Sequence, residues 1–108
     1  MEIKVEATDV ATVLVPVARV DSSTAKAFEA KVLQVVNTGA AKIILDFAEL
    51  DYISSAGLRV VLVGAKMTRQ PRKFLLCGMK PHIREIFDVS GFAKILTILP
   101  EREAALAA

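Results

Sequence analysis

Residues 42–62 read KIILDFAELDYISSAGLRVVL. The apolar run Lys42–Phe47, closed by Asp46, has the length and composition of a buried central strand. Phe47 to Ile53 reads as a loop. From Ser55 to about Arg69, Leu58, Val61, Leu62 and Ala65 recur on one helical face, and Pro71 prevents continuation. A buried strand leading through a short loop into an amphipathic helix is the first half of a crossover. Crossovers of this kind build largely parallel sheets.

The flanks extend the pattern. Ile3, Val5 and Ala7 alternate with Glu2, Lys4 and Glu6, as in a strand with one buried face. Asp9 and Val10 turn the chain, and Thr12–Val17 is β-branched and apolar, so the two segments predict an antiparallel hairpin. Pro16 cannot donate a ladder hydrogen bond and belongs near a strand end, an edge or a bulge. Asp21-Ser22-Ser23-Thr24 carries helix-capping oxygens. Ala25, Phe28, Val32, Val35 and Val36 then follow at helical spacing, predicting a helix over about 24–36, stopped by Asn37-Thr38-Gly39. Downstream, Lys73–Cys77 is a strand and Pro81 to about Val89 a helix with Pro in its first turn. Ile95–Leu99 is a last strand, and Pro100 opens an Ala-rich helical tail.

The order β-β-α-β-α-β-α-β-α predicts an α/β fold. We expect one domain over residues 1–108, with a mixed, mostly parallel sheet of about five strands and helices packed on it.

Composition agrees and excludes other classes. The chain has 108 residues, one domain's worth. Hydrophobic residues make up 54% and aromatics 6%, with no Trp, so general disorder is excluded and the core must be aliphatic. Fourteen Lys and Arg against twelve Asp and Glu give +2, far from the dense basic surface that nucleic-acid binding needs. Cys77 is the one cysteine, so there is no internal disulfide. The N-terminus lacks the pattern of a signal peptide and no apolar run approaches a membrane span, so we expect a cytoplasmic protein with no membrane insertion.

Ligands and partners meet open α/β sheets where strands end and helices begin. Two segments should converge there: Arg19–Ser23, and Asp46–Gly57. Ser54 and Ser55 sit where the long helix starts, and one of them should cap it. Gly57 in the first turn costs about 0.5–1 kcal/mol relative to Ala, so close packing or close approach of a partner must compensate. A hydroxyl at a helix start also suits phosphorylation, because a phosphate meets free N–H groups and the positive end of the dipole. Arg59 would lie near such a phosphate, and Asp21 and Asp46 would oppose it.

Other chemistries find little support. The nucleophile elbow of serine hydrolases needs Gly two residues before the serine, and Ile53 stands there before Ser55. One His and one Cys with no paired spacing make no metal site. His82 fits a surface or capping role, and Cys77 an inert buried thiol. Gly64-Ala65-Lys66 falls inside a helix and is no phosphate loop. Lys66, Arg69, Arg72 and Lys73 complement the negative end of the long helix or form an acidic partner's docking patch. The Ala-rich tail either covers the sheet or frays.

The segment DYISSAGLRVVL (51–62) resembles the signature of STAS domains, the group named for sulfate transporters and anti-sigma-factor antagonists. RVD at Arg19–Asp21, the KIILDF strand and LLCGMKPHIREIFDVSGF (75–92) match in order and spacing, so the resemblance covers nearly the whole chain. It implies a mixed α/β domain. Among bacterial antagonists it further implies a serine at this helix start that is phosphorylated by an anti-sigma factor with serine kinase activity. The unphosphorylated form binds that kinase and frees the sigma factor, and a serine phosphatase resets the cycle. By this resemblance Ser55 is the acceptor, with Ser54 the alternative. Asp21, Ser22, Ile53, Ser54, Ser55, Gly57, Leu58 and Arg59 form the partner surface. The ATP belongs to the kinase, so the chain needs no cofactor and is not an enzyme. Ser54 replaces an Asp common before the acceptor, Ala56 a Ser or Thr common after it, and Ala18 the early motif's Gly. These departures keep open a non-switching STAS scaffold, or a subunit of a transport or signalling complex, in which Ser55 only caps the helix.

Overall fold

β1 (Ile3–Ala7) and β2 (Thr12–Pro16) pair antiparallel in the computed structural model, which describes every residue from Met1 to Ala108. Pro16 ends its strand, as its missing N–H requires. Next in the chain come β3 (Ala18–Val20) and α1 (Ala25–Asn37). β4 (Lys42–Asp46) runs parallel to β2. β5 (Leu50–Ile53), α2 (Ser55–Met67), β6 (Lys73–Cys77) and α3 (Pro81–Val89) follow. The chain closes with a 3-10 turn at Phe92–Lys94, β7 (Thr97–Leu99) and α4 (Arg102–Ala107). The main sheet has the order β1-β2-β4-β6-β7, parallel except for the hairpin. The mixed five-stranded sheet expected from the sequence is therefore observed.

Strand alternation divides the core between two faces. Leu14, Ile43, Leu45 and Leu76 point to one face and pack with Phe28 and Val32 of α1, Val61 of α2, and Ile83 and Phe87 of α3. Val13, Val15, Ile44, Leu75 and Cys77 point to the other, where Ala105 of α4 meets them. Gly64 lets α2 approach closely: a Cβ there would lie 2.8 Å from Val32 Cγ1 and 2.9 Å from the Phe74 ring. The tail does not fray. Arg102 Nε donates to Asp46 Oδ2 at 2.8 Å, its Nη1 to Glu6 Oε2 at 2.5 Å, and Lys42 Nζ to the Leu106 carbonyl at 2.7 Å.

Five expectations about the fold need correction. The buried face expected of Ile3, Val5 and Ala7 is mostly absent: β1 is the edge strand, Ile3 alone is half-buried, and Val5 and Ala7 are exposed. The loop over 47–53 contains β5, which pairs in parallel with β3 to form a separate two-stranded sheet. Both strands are too short for periodicity to reveal, and each needs a partner distant in sequence. The last strand begins at Thr97, not Ile95, because a 3-10 turn occupies the preceding residues and leaves Ile95 exposed. α2 ends at Met67 rather than Arg69, where Thr68 Oγ1 donates back to the Gly64 carbonyl at 2.8 Å. Arg72 does not serve the end of α2. Its Nε and Nη2 donate to the Ala40 and Val36 carbonyls at 2.9 and 2.7 Å, satisfying the C-terminal end of α1.

Candidate functional site

The small β3–β5 sheet brings the two expected segments together. Val20 lies opposite Ile53 and Arg19 opposite Tyr52. The Ser54 N–H donates to the Val20 carbonyl at 2.8 Å, which docks the start of α2 against the end of β3. Ala18 takes a left-handed φ of +68°, uncommon outside glycine, where the chain turns from β2 into β3.

Local backbone decides between the two serines. Ser54 is extended (φ −88°, ψ 172°) and its Oγ accepts from the Gly57 N–H at 3.3 Å, so Ser54 is the N-cap. Ser55 is the first helical residue. It is exposed, and its hydroxyl makes no hydrogen bond within the chain. Gly57 is explained by packing: a Cβ would sit 2.7 Å from both Ile53 Cγ1 and Val20 Cγ1. Ile53, Gly57 and Leu58 are buried, so these three expected contact residues shape the surface from beneath rather than presenting side chains on it. Ser22, Ser55 and Arg59 are exposed.

Asp21 organises the entry to α1. Its Oδ1 accepts from the Ser23 hydroxyl at 2.6 Å, the Ser23 N–H at 2.9 Å and the Thr24 N–H at 3.2 Å, and its Oδ2 from Arg19 Nε at 3.2 Å. The Ser23 hydroxyl, and then the Arg19 guanidinium, hold this carboxyl well below the usual carboxylate range. Arg19 also lies over the Tyr52 ring, 4.5 Å from its centroid. Beside them a shallow crevice of about 260 Å³ runs between α1 and α2, lined by Ser22, Lys26, Glu29, Ala56 and Arg59 among others.

Asp46 is not part of this cluster. It shares the sheet face of Ile44, under α4, where Arg102 and the Ala48 N–H occupy its oxygens. It therefore cannot oppose a phosphate on Ser55. Sequence reasoning missed the pairing of Arg19 with Tyr52. The available signal was the short pattern Leu50-Asp51-Tyr52-Ile53, buried at its ends and exposed between, matching the exposed Arg19 beside buried Val20.

The remaining candidates have structural roles. His82 Nε2 lies 2.6 Å from the Asp51 carbonyl, which can only accept, so Nε2 donates. Lys80 pairs with the Asp51 carboxylate, which lowers that group's pKa. Together these contacts tie α3 to β5. Burial pushes the Cys77 thiol up to about 12, too high for a reactive thiolate. No three His, Cys, Asp or Glu side chains come together to hold a metal ion. No helix is long and apolar enough to cross a membrane.

The family model described as the STAS domain matches residues 2–105. A Bordetella bronchiseptica protein named as an anti-sigma factor antagonist, BtrV, is 49% identical over 90 residues, which cover 82% of this chain and 78% of that protein. Among solved structures, an anti-sigma factor antagonist from Mycobacterium paratuberculosis has a TM-score of 0.93 at 22% identity, covering 98% of this chain and 91% of that one. The phosphorylated form of the Bacillus cell fate determinant SpoIIAA has a TM-score of 0.72 at 23% identity, covering 95% and 96%. At these identities the two solved structures establish the fold.

Proposed function

The chain belongs to the STAS domain family, and on that premise we propose that it is an anti-sigma-factor antagonist switched by phosphorylation of Ser55. Its partner is an anti-sigma factor with serine kinase activity. The unphosphorylated chain binds that factor in the cytoplasm and so frees a sigma factor. The γ-phosphoryl group of the kinase's ATP then passes to Ser55 Oγ. The new O–P bond forms, the bond to the ADP oxygen breaks, and the hydroxyl proton goes to a base of the kinase. A serine phosphatase hydrolyses the ester and restores binding. In this cycle the chain is a substrate and a binding surface, not a catalyst.

One observation carries the reading. Ser54 fills the cap, and Ser55 stands beside it exposed and without a hydrogen bond. A kinase can take Ser55 without uncapping α2. The phosphate adds about −1.5 to −2 charges. Burying that charge in an interface that fits a neutral hydroxyl is costly, so binding is lost. Under the alternative, a non-switching STAS scaffold, Ser55 would only cap α2; Ser54's hold on the cap supports the switch instead.

The test is phosphorylation in vitro by the serine-kinase anti-sigma factor of the same organism, read by mass. Wild type and Ser54→Ala should each gain one phosphate and then lose affinity for the kinase. Ser55→Ala should gain none and remain bound. Equal phosphorylation of Ser55→Ala, or no phosphorylation of wild type by any such kinase, defeats the proposal.

A further inference from the structure

Arg19 is the feature of this surface that the switch reading leaves unused. It sits on β3 opposite Tyr52, and its guanidinium meets Asp21 two residues ahead. The side chain therefore leans toward the end of β3, where the Ser54 N–H bonds Val20 and α2 begins. Ser22 and Ala56 line one crevice, so the residues after Asp21 and after Ser55 are neighbours. Only Nε of Arg19 is bonded; the two terminal NH₂ groups make no hydrogen bond within the chain. Stacking on Tyr52 holds the planar group in place with those donors free, and paired guanidinium donors suit a phosphate.

We propose that Arg19 is the receptor of the Ser55 phosphate: its terminal NH₂ groups pair with the phosphate oxygens, and the guanidinium is drawn off the Tyr52 ring. The inference rests on the phosphoacceptor reading of Ser55. It adds a rearrangement at constant fold, in which modification removes one arginine from the exposed surface and bares one aromatic ring. The charged groups on the elements beside the start of α2 are Arg19 and its partner Asp21 at the end of β3, and Lys26, Glu29 and Arg59 along the crevice between α1 and α2. Arg59 is the competing receptor, one helical turn beyond Ser55, but it shares its crevice with the Glu29 carboxylate. The phosphate's greater charge lets it outcompete Asp21 for the guanidinium.

The test installs phosphoserine at position 55 of the full chain by an orthogonal translation system, so no kinase is required. A ³¹P titration follows the second phosphate ionisation, and NMR follows the ring of Tyr52, the only tyrosine. Arg19→Ala should raise the phosphate's proton affinity about threefold, and Arg19→Lys should restore part of the difference. The Tyr52 ring resonances should move on phosphorylation only when Arg19 is present. The proposal is overturned if Arg19→Ala leaves the titration unchanged, or if Arg59→Ala produces the whole rise. A dispersed amide spectrum for each variant separates lost pairing from lost fold. Failure of kinase phosphorylation would defeat the function proposed above and leave this result standing.

Discussion

Two arginine–aspartate pairs stand at strand ends on opposite sides of this small domain. Arg102 holds Asp46 at 2.8 Å under α4, with side-chain exposures of 34% and 7%. Arg19 holds Asp21 at 3.2 Å beside α2, with exposures of 59% and 25%. The Asp46 side chain is almost wholly shut off from water. Its other oxygen accepts from Ala48, and Gly78 crowds it so closely that a Cβ there would lie 2.6 Å from Oδ1. Asp21 and its partner Arg19 sit where water can compete for them. The chemistry of the two pairs is the same, and burial makes one a fastener and leaves the other replaceable.

The largest contrast should appear in thiol chemistry. Cys77 lies on the α4 side, and its thiol is pushed from an ordinary 9.0 to about 12 by burial. At pH 8, iodoacetamide should alkylate it on the order of 10³-fold more slowly than a free thiol. The raised value also fixes a sign: the contribution of this group to stability is complete below pH 9.0 and is lost as pH rises toward about 12. Alkylation at the free-thiol rate would mean that α4 does not close this face.

Next in size is Arg102→Ala. It strands a buried carboxylate and releases α4, whose only large apolar residue is Leu106. A loss of about 2–3 kcal/mol is expected in urea denaturation, below the full value for a buried pair because Arg102 is partly exposed, together with faster Cys77 alkylation. A loss under about 0.5 kcal/mol would erase the distinction between the two pairs.

Ser54→Ala should cost about 0.5–1 kcal/mol, the lower part of the range for a cap because its bond is long at 3.3 Å. Ser55→Ala should stay within about 0.5 kcal/mol of wild type. The reverse order would make Ser55 the cap and weaken the switch reading. Smallest of all is Arg19→Ala, expected to change stability by less than about 0.5 kcal/mol in the same assay while altering the titration of a phosphate on Ser55.

How much of this could be read from the chain depends on the residues concerned. β1 and α2 announce themselves by apolar positions at a fixed spacing, and β2, β4 and β6 as short continuous apolar runs. The side of the sheet on which Asp46 falls was not legible. Ile43, Ile44 and Leu45 are apolar on both faces, so the run shows no alternation from which to count. β3 and β5 were missed because three or four residues define no period, and their partnership spans α1 and β4. Arg72 follows α2 in the chain but serves α1, because its target carbonyls at Val36 and Ala40 lie far back in the sequence.

The five strands of the main sheet and their mixed pairing, the aliphatic core and the place where a hydroxyl meets the start of α2 are all written in the chain. Those follow from local periodicity and turn chemistry, which act over a few residues. Long-range packing, by contrast, set which serine caps and which stays free, which face of the sheet Asp46 occupies, and which arginine is a fastener. Those outcomes depend on backbone angles set by β3–β5 pairing and on burial beneath α4. Both are created by contacts between residues that the chain keeps far apart.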